Sequence, residues 1–206
     1  ADVEWADMAL MRSLNMAYHA SLLPAASDTT FYDVGRLISL WVSAFEILVH
    51  PGGSGQADRK KVFELIERTR WAIPASGQLA HDTGGKTKVK RTLASWLVET
   101  LYVCRNDFLH GNPVDRSTLL LATPQRTIFE YAAPLYRIAL TAFLPLTYDA
   151  PIPSKENPEA LGEYIADRMT FMHLQKAAEE GLLTATQPPP IPGTRRPRII
   201  RPAGNI

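Results

Sequence analysis

The chain has 206 residues, 46% of them apolar, with 22 basic and 21 acidic side chains, which suits a buried core in one domain plus an appendage. A net charge of +1 neither demands nor excludes a nucleic-acid partner, and one cysteine, Cys104, excludes an internal disulfide framework. No apolar run reaches the ~20 residues of a membrane span, and Asp2, Glu4 and Asp7 do not suit a secretory leader, so a soluble, cytoplasmic protein with no membrane partner is expected.

Residues 1–23 read as a helix, with Met11, Leu14, Tyr18 and Leu22 spaced by threes and fours and Pro24 beyond its end. Ser27 or Asp28 could cap the next helix, from about Thr30 to His50. This helix is apolar nearly all round, from Leu37 through Trp41 and Phe45 to Val49. Such a helix belongs in the middle of a bundle. Residues 56–73 are amphipathic, with Val62, Leu65 and Ile66 on one face and Pro74 as the stop. A Gly-, Ser- and Lys-rich loop, residues 75–88, leads into a fourth helix from about Val89 to Leu109. Leu93, Leu97, Leu101, Cys104 and Phe108 form its stripe.

Residues 118–122 are apolar and fit either a short strand or a helical turn. Residues 125–143 read as a helix that Pro134 should kink or start late. Asn157-Pro158 announces a further helix, with Gly181 in the position that ends one. Residues 187–206 hold six prolines and four arginines without an acid. They suit an extended or disordered segment: a linker, a basic arm for nucleic acid, or a proline-rich ligand. Strand-like alternation is almost absent, so the class is all-α. The expected division is a bundle over 1–145, a helical extension over 146–186, and the tail.

The informative stretch is Leu101-Tyr102-Val103-Cys104-Arg105-Asn106-Asp107-Phe108-Leu109-His110-Gly111. It reads as an apolar helix ending at glycine. Histidine exchanges protons near neutrality. Arginine keeps its charge and its planar fork matches phosphate oxygens. Asparagine can orient either one. No acid pair with metal-like spacing stands beside them, and the five histidines show none either. The set therefore suits metal-free phosphoryl transfer, in which a ribose 2′-hydroxyl attacks the adjacent phosphate. Only RNA carries that nucleophile.

At about 100° per residue, Asn106 and His110 nearly share a face, whereas Arg105 and His110 diverge by roughly 140°. Their convergence needs a turn at Gly111, the reach of the arginine, or two copies of the helix that complete each other. Bland roles compete with this reading. His110 could serve only as a cation at a helix C-terminus, and Arg105 as a structural partner of Glu46, a carboxylate on a very apolar helix. Cys104, Trp41, Trp71 and Trp96 read as core. Gly84-Gly85-Lys86-Thr87 lacks the strand and first glycine of a phosphate-binding loop.

Arg105-Asn106-x-x-x-His110 resembles the Arg-x(4–6)-His signature of HEPN domains (higher eukaryote and prokaryote nucleotide-binding), and residues 40–48, with Trp41 and Glu46, resemble a second hallmark of the Apea-like branch. The resemblance covers roughly residues 30–143. It implies an antiparallel helical bundle that dimerises and, in many members, acts as a metal-independent endoribonuclease in toxin–antitoxin, antiphage or RNA-processing systems. Carried over, Arg105 and His110 would be catalytic and Asn106 would support them. Glu46, as a buried partner of Arg105, and Asp107 would be supporting residues. Members silenced by a nucleotidyltransferase carry a tyrosine two positions after the histidine, where this chain has Asn112. The expectation is thus a homodimeric RNA-cleaving enzyme without a cofactor, under the control of an antitoxin or regulatory protein. The alternative is a non-catalytic HEPN-type binding or dimerisation module of a larger assembly. A helical adaptor recruited through the proline-rich tail is a third reading.

Overall fold

The structure is a computed structural model that describes residues 5–22, 30–52, 55–84, 87–112, 114, 117–121, 126–148 and 150–187. Six α-helices dominate the described residues: α1 (Trp5–Leu22), α2 (Phe31–Leu48), α3 (Arg59–Glu67), α4 (Leu93–Leu109), α5 (Phe129–Phe143) and α6 (Pro158–Leu183). The protein is mainly helical, and among the described residues one small hairpin is formed by β1 (His81–Thr83) and β2 (Val89–Arg91).

The cap of α2 is Thr30 rather than Ser27 or Asp28, which lie outside the described residues. Its hydroxyl accepts the Asp33 N–H, and the Asp33 carboxylate accepts the Thr30 N–H at 3.0 Å. That reciprocal pairing satisfies two donors that would otherwise be orphaned. Beyond the cap, Ile38, Val42, Ala44 and Phe45 are fully buried. Helix α2 is the central rod, touching α1, α3, α4 and α5.

Helix α1 packs on α2 with a face of small residues: Ala9, Ser13, Ala17 and Ala20. The Ser13 hydroxyl donates to the Ala44 carbonyl at 2.7 Å and bonds the Tyr136 hydroxyl at 2.7 Å. Met11, Leu14, Tyr18 and Leu22, whose spacing marks this helix in the sequence, lie on its exposed side.

Helix α3 stops at Glu67, short of Ile73, because the next segment is held elsewhere. The Glu179 carboxylate on α6 accepts the N–H groups of Ala72 at 2.8 Å and Ile73 at 2.7 Å. Glu179 is completely buried and also accepts from the Gln175 side chain at 2.8 Å. A short 3₁₀ turn, Pro74–Gly77, follows.

Residues 89–91, expected to open α4, instead form β2 and pair with residues 81–83. Arg91 fixes the strand through both carboxylate oxygens of Glu67, at 3.1 and 3.0 Å, while its guanidinium lies 4.6 Å from the Phe63 ring centre. Thr92 then caps α4 by accepting the Ser95 N–H. Gly84 takes the hairpin turn at a φ of 84°.

The segment after α4 turns at residues 117–119 and forms an isolated antiparallel bridge from Leu120 to Thr127. Helix α5 starts at Phe129, and Pro134 remains inside it. The α6 start follows the sequence reading, with the Asn157 side chain accepting the Ala160 N–H at 3.2 Å. Its end does not, since the helix runs through Gly181 to Leu183. Leu182 and Ala185 are seated in the core, and the Thr184 hydroxyl takes up the Gly181 carbonyl at 2.7 Å. The end of α6 therefore shares the bundle's core. Residues 188–206, nearly all of the proline-rich tail, lie outside the described residues. No helix among the described residues is long and apolar enough to cross a membrane.

Candidate functional site at the end of the fourth helix

Helix α4 ends where its sequence suggests. His110 is the cap residue, and Gly111 follows in the left-handed conformation at a φ of 73°. The Asn112 N–H donates to the Asp107 carbonyl at 2.9 Å and the Gly111 N–H to that of Phe108 at 3.2 Å. This double bond pattern is a Schellman cap, for which glycine is favoured because a Cβ is strained at positive φ. The Asn112 side chain adds a bond to the Asp107 carboxylate at 2.9 Å. Asp107 is thereby committed to the turn.

Phe108 packs so closely on α2 that a Cβ at Gly35 would overlap its ring. One turn back, Arg105 donates from its guanidinium to the Glu46 carboxylate on α2 at 3.2 Å. The two side chains are 26% and 21% exposed, so the pair is partly shielded yet reachable from solvent. This single bond leaves most of the five guanidinium N–H donors uncommitted among the described contacts.

Two further residues, not anticipated from the sequence, extend the cluster along α4. Tyr102 is buried, and its hydroxyl faces the Glu46 carboxylate without a bond of good geometry. Burial is the main cause of a strongly raised phenol pKa, and the nearby charge of Glu46 raises it further. Glu99 accepts from Arg59 of α3 at 2.9 Å, and its other oxygen is buried without a partner. Glu99, Tyr102 and Arg105 recur every three residues, a spacing that sets them in a row along one side of a helix. That repeat was the available signal.

The remaining motif residues point elsewhere. Asn106 and His110 are both exposed, as their shared face requires. Among the described contacts, none joins the His110 ring to Arg105. Within one chain, then, the helix end brings Arg105 to Glu46 and sets Asn106 and His110 toward solvent. Cys104 is buried on the core side; burial first, and the charge of Asp107 second, push its thiol pKa up. A thiol in that state is a poor nucleophile. Trp41 is core, and Trp71 and Trp96 are both half-buried against the core, with Trp71 also lining a cavity. Among the described residues, no group of three or more His, Cys, Asp or Glu side chains is placed to hold a metal ion.

No protein-family model matches the chain, and no curated protein or solved structure shows significant similarity to it.

Proposed function

We propose that the chain is a metal-independent endoribonuclease of the HEPN type, working as a homodimer in which two α4 ends complete one another's sites. The observation that carries this reading is the Arg105–Glu46 pair beside an exposed histidine on the same capped helix end. Glu46 orients the guanidinium but satisfies only one of its donors, leaving others for phosphate oxygens. His110, directed away from its own Arg105, is presented outward to a second copy.

In this mechanism the 2′-oxygen bonds to the adjacent phosphorus as its proton passes to an imidazole. The P–O5′ bond breaks, and the leaving oxygen takes a proton. The products are a 2′,3′-cyclic phosphate and a 5′-hydroxyl. Arg105 offsets the charge that builds on the phosphoryl oxygens, His110 handles a proton, and Asn106 orients the histidine or the substrate. An antitoxin or regulatory protein would act by covering this face.

The test is cleavage of mixed RNA in EDTA by wild type, Arg105→Ala and His110→Ala. Cleavage by wild type alone, with cyclic phosphate ends, is the expected result. Intact RNA with folded wild type overturns the enzyme reading. Equal cleavage by either variant overturns the assigned site.

A second reading draws on the divergence of Arg105 and His110 within one chain. Here the fold serves as a non-catalytic binding or dimerisation module, and the Arg105–Glu46 pair is purely structural. RNA that binds but is never cut, with a dimer that persists in both variants, would favour it.

A further inference from the structure

A cleft of about 560 Å³ opens between the segment after α3, the end of α5 with the stretch of chain that follows it, and the middle of α6. None of its lining residues belongs to the Arg105 cluster. Its volume falls in the range of small-molecule sites, roughly 300–1,000 Å³.

The chemistry of its walls is uneven. Arg68, Arg70 and Arg168 line it, and no described lining residue is acidic. Three lining arginines contrast with a whole-chain charge of only +1, and of these Arg168 already donates to the Tyr164 hydroxyl at 3.3 Å. Thr69 stands between two of these arginines, is 9% exposed, and has a buried hydroxyl with no hydrogen-bond partner. A buried hydroxyl without a hydrogen-bond partner costs stability. A phosphate oxygen would suit it.

Aromatic side chains share these walls. Tyr148 takes a left-handed backbone conformation, with a φ of 49°. Its ring lies 6.4 Å from that of Phe171, tilted by only 27°, and its hydroxyl donates to the Tyr164 carbonyl at 3.1 Å. Trp71 contributes a further flat face. Buried Gln175 also lines the cleft and donates its amide N–H to Glu179. Glu179 meanwhile grips the Ala72 and Ile73 N–H groups, holding the arginine-bearing segment against α6. The site is therefore organised before any ligand arrives.

We infer that this cleft binds a phosphate monoester carrying a flat heterocycle, a molecule of nucleoside monophosphate size, with the arginines on the phosphate and the aromatic side chains on the ring. Arginine forks recognise phosphate bidentately, and the ring gains stacking that inorganic phosphate cannot use. The assignment is independent of the ribonuclease reading.

The experiment is isothermal titration of the full chain with nucleoside 5′-monophosphates, the matching nucleosides and inorganic phosphate. Monophosphates should bind, with nucleoside and phosphate each weaker by about tenfold or more. Arg68→Ala and the milder Arg68→Lys, both at an exposed position, should weaken binding, while Arg105→Ala should leave it unchanged. No heat and no melting shift with any monophosphate at millimolar concentration overturns the proposal. So does binding unaltered by Arg68→Ala, or phosphate alone binding as well as the monophosphate.

Discussion

Arg105 and Glu46 join the last turns of α4 to the last turns of α2 through one guanidinium–carboxylate bond of 3.2 Å. The pair ties α4 to the central helix, so it fixes the motif's arginine relative to the core. Partial exposure limits its contribution to stability. A double-mutant cycle of Glu46→Ala and Arg105→Ala in urea should give a coupling of about 1 kcal/mol. Under the proposed chemistry, Glu46→Gln should lower kcat for RNA cleavage more than it raises KM, because it loosens the clamp without removing it. Coupling indistinguishable from zero would show that the pair orients nothing.

Tyr102 supplies a pH prediction. Burial raises its pKa and that of Tyr136 above the ordinary phenol value of 10.0. Above that pH the unfolded chain loses phenolic protons that the fold retains. The contribution of these phenols to stability is therefore full below pH 10 and declines as the pH rises beyond it. Tyr102→Phe removes a titrating group together with a buried hydroxyl that lacks a bond of good geometry. Its melting temperature should match or exceed that of wild type at pH 7, and the gap should widen in its favour between pH 10 and 11. A variant that loses stability faster than wild type in alkali would contradict this assignment.

Much of the fold is legible because helix signals are local. The threefold and fourfold spacing in α2, the Asn157-Pro158 start and the Gly111 stop each act within a few residues. The failures involve distant partners. Nothing near Arg68 signals that Glu179, more than a hundred residues later, will capture two amides and end α3 early. Likewise, β2 owes its conformation to Glu67 and Phe63 as well as to its own residues. On α1, close approach to α2 favours small side chains, so the packed face is the alanine and serine row rather than the large apolar one. In the site, the Arg105–Glu46 link was legible because an acid on an apolar helix needs a partner. The buried Tyr102 hydroxyl was not, since its side chain alone suggests a core aromatic.

Gly35 tests the helix crossing. A methyl group there would occupy the space of the Phe108 ring, so the ring or the helix must shift. Overpacking of this kind costs about 1–3 kcal/mol, against the small gain that alanine normally brings to a helix interior. Gly35→Ala should therefore lower the melting temperature, and Gly35→Ala with Phe108→Leu should recover part of the loss. A fully stable single variant would mean that the two helices are not in close contact at this point.

Glu179 is the structural counterpart of the site at the other end of the chain. Its two oxygens satisfy the Ala72 and Ile73 amides and the Gln175 side chain, from a position with no exposure. Glu179→Ala leaves those donors without partners, at about 1–3 kcal/mol for each group that stays buried. A total loss near 3 kcal/mol is expected in chemical denaturation, because part of the freed segment can reach water. Glu179→Gln keeps one accepting oxygen and should fall between the two. The segment released carries Arg68 and Arg70, so monophosphate binding should weaken in both variants in the same order. A stable Glu179→Ala protein with intact binding would show that α6 does not clamp this segment.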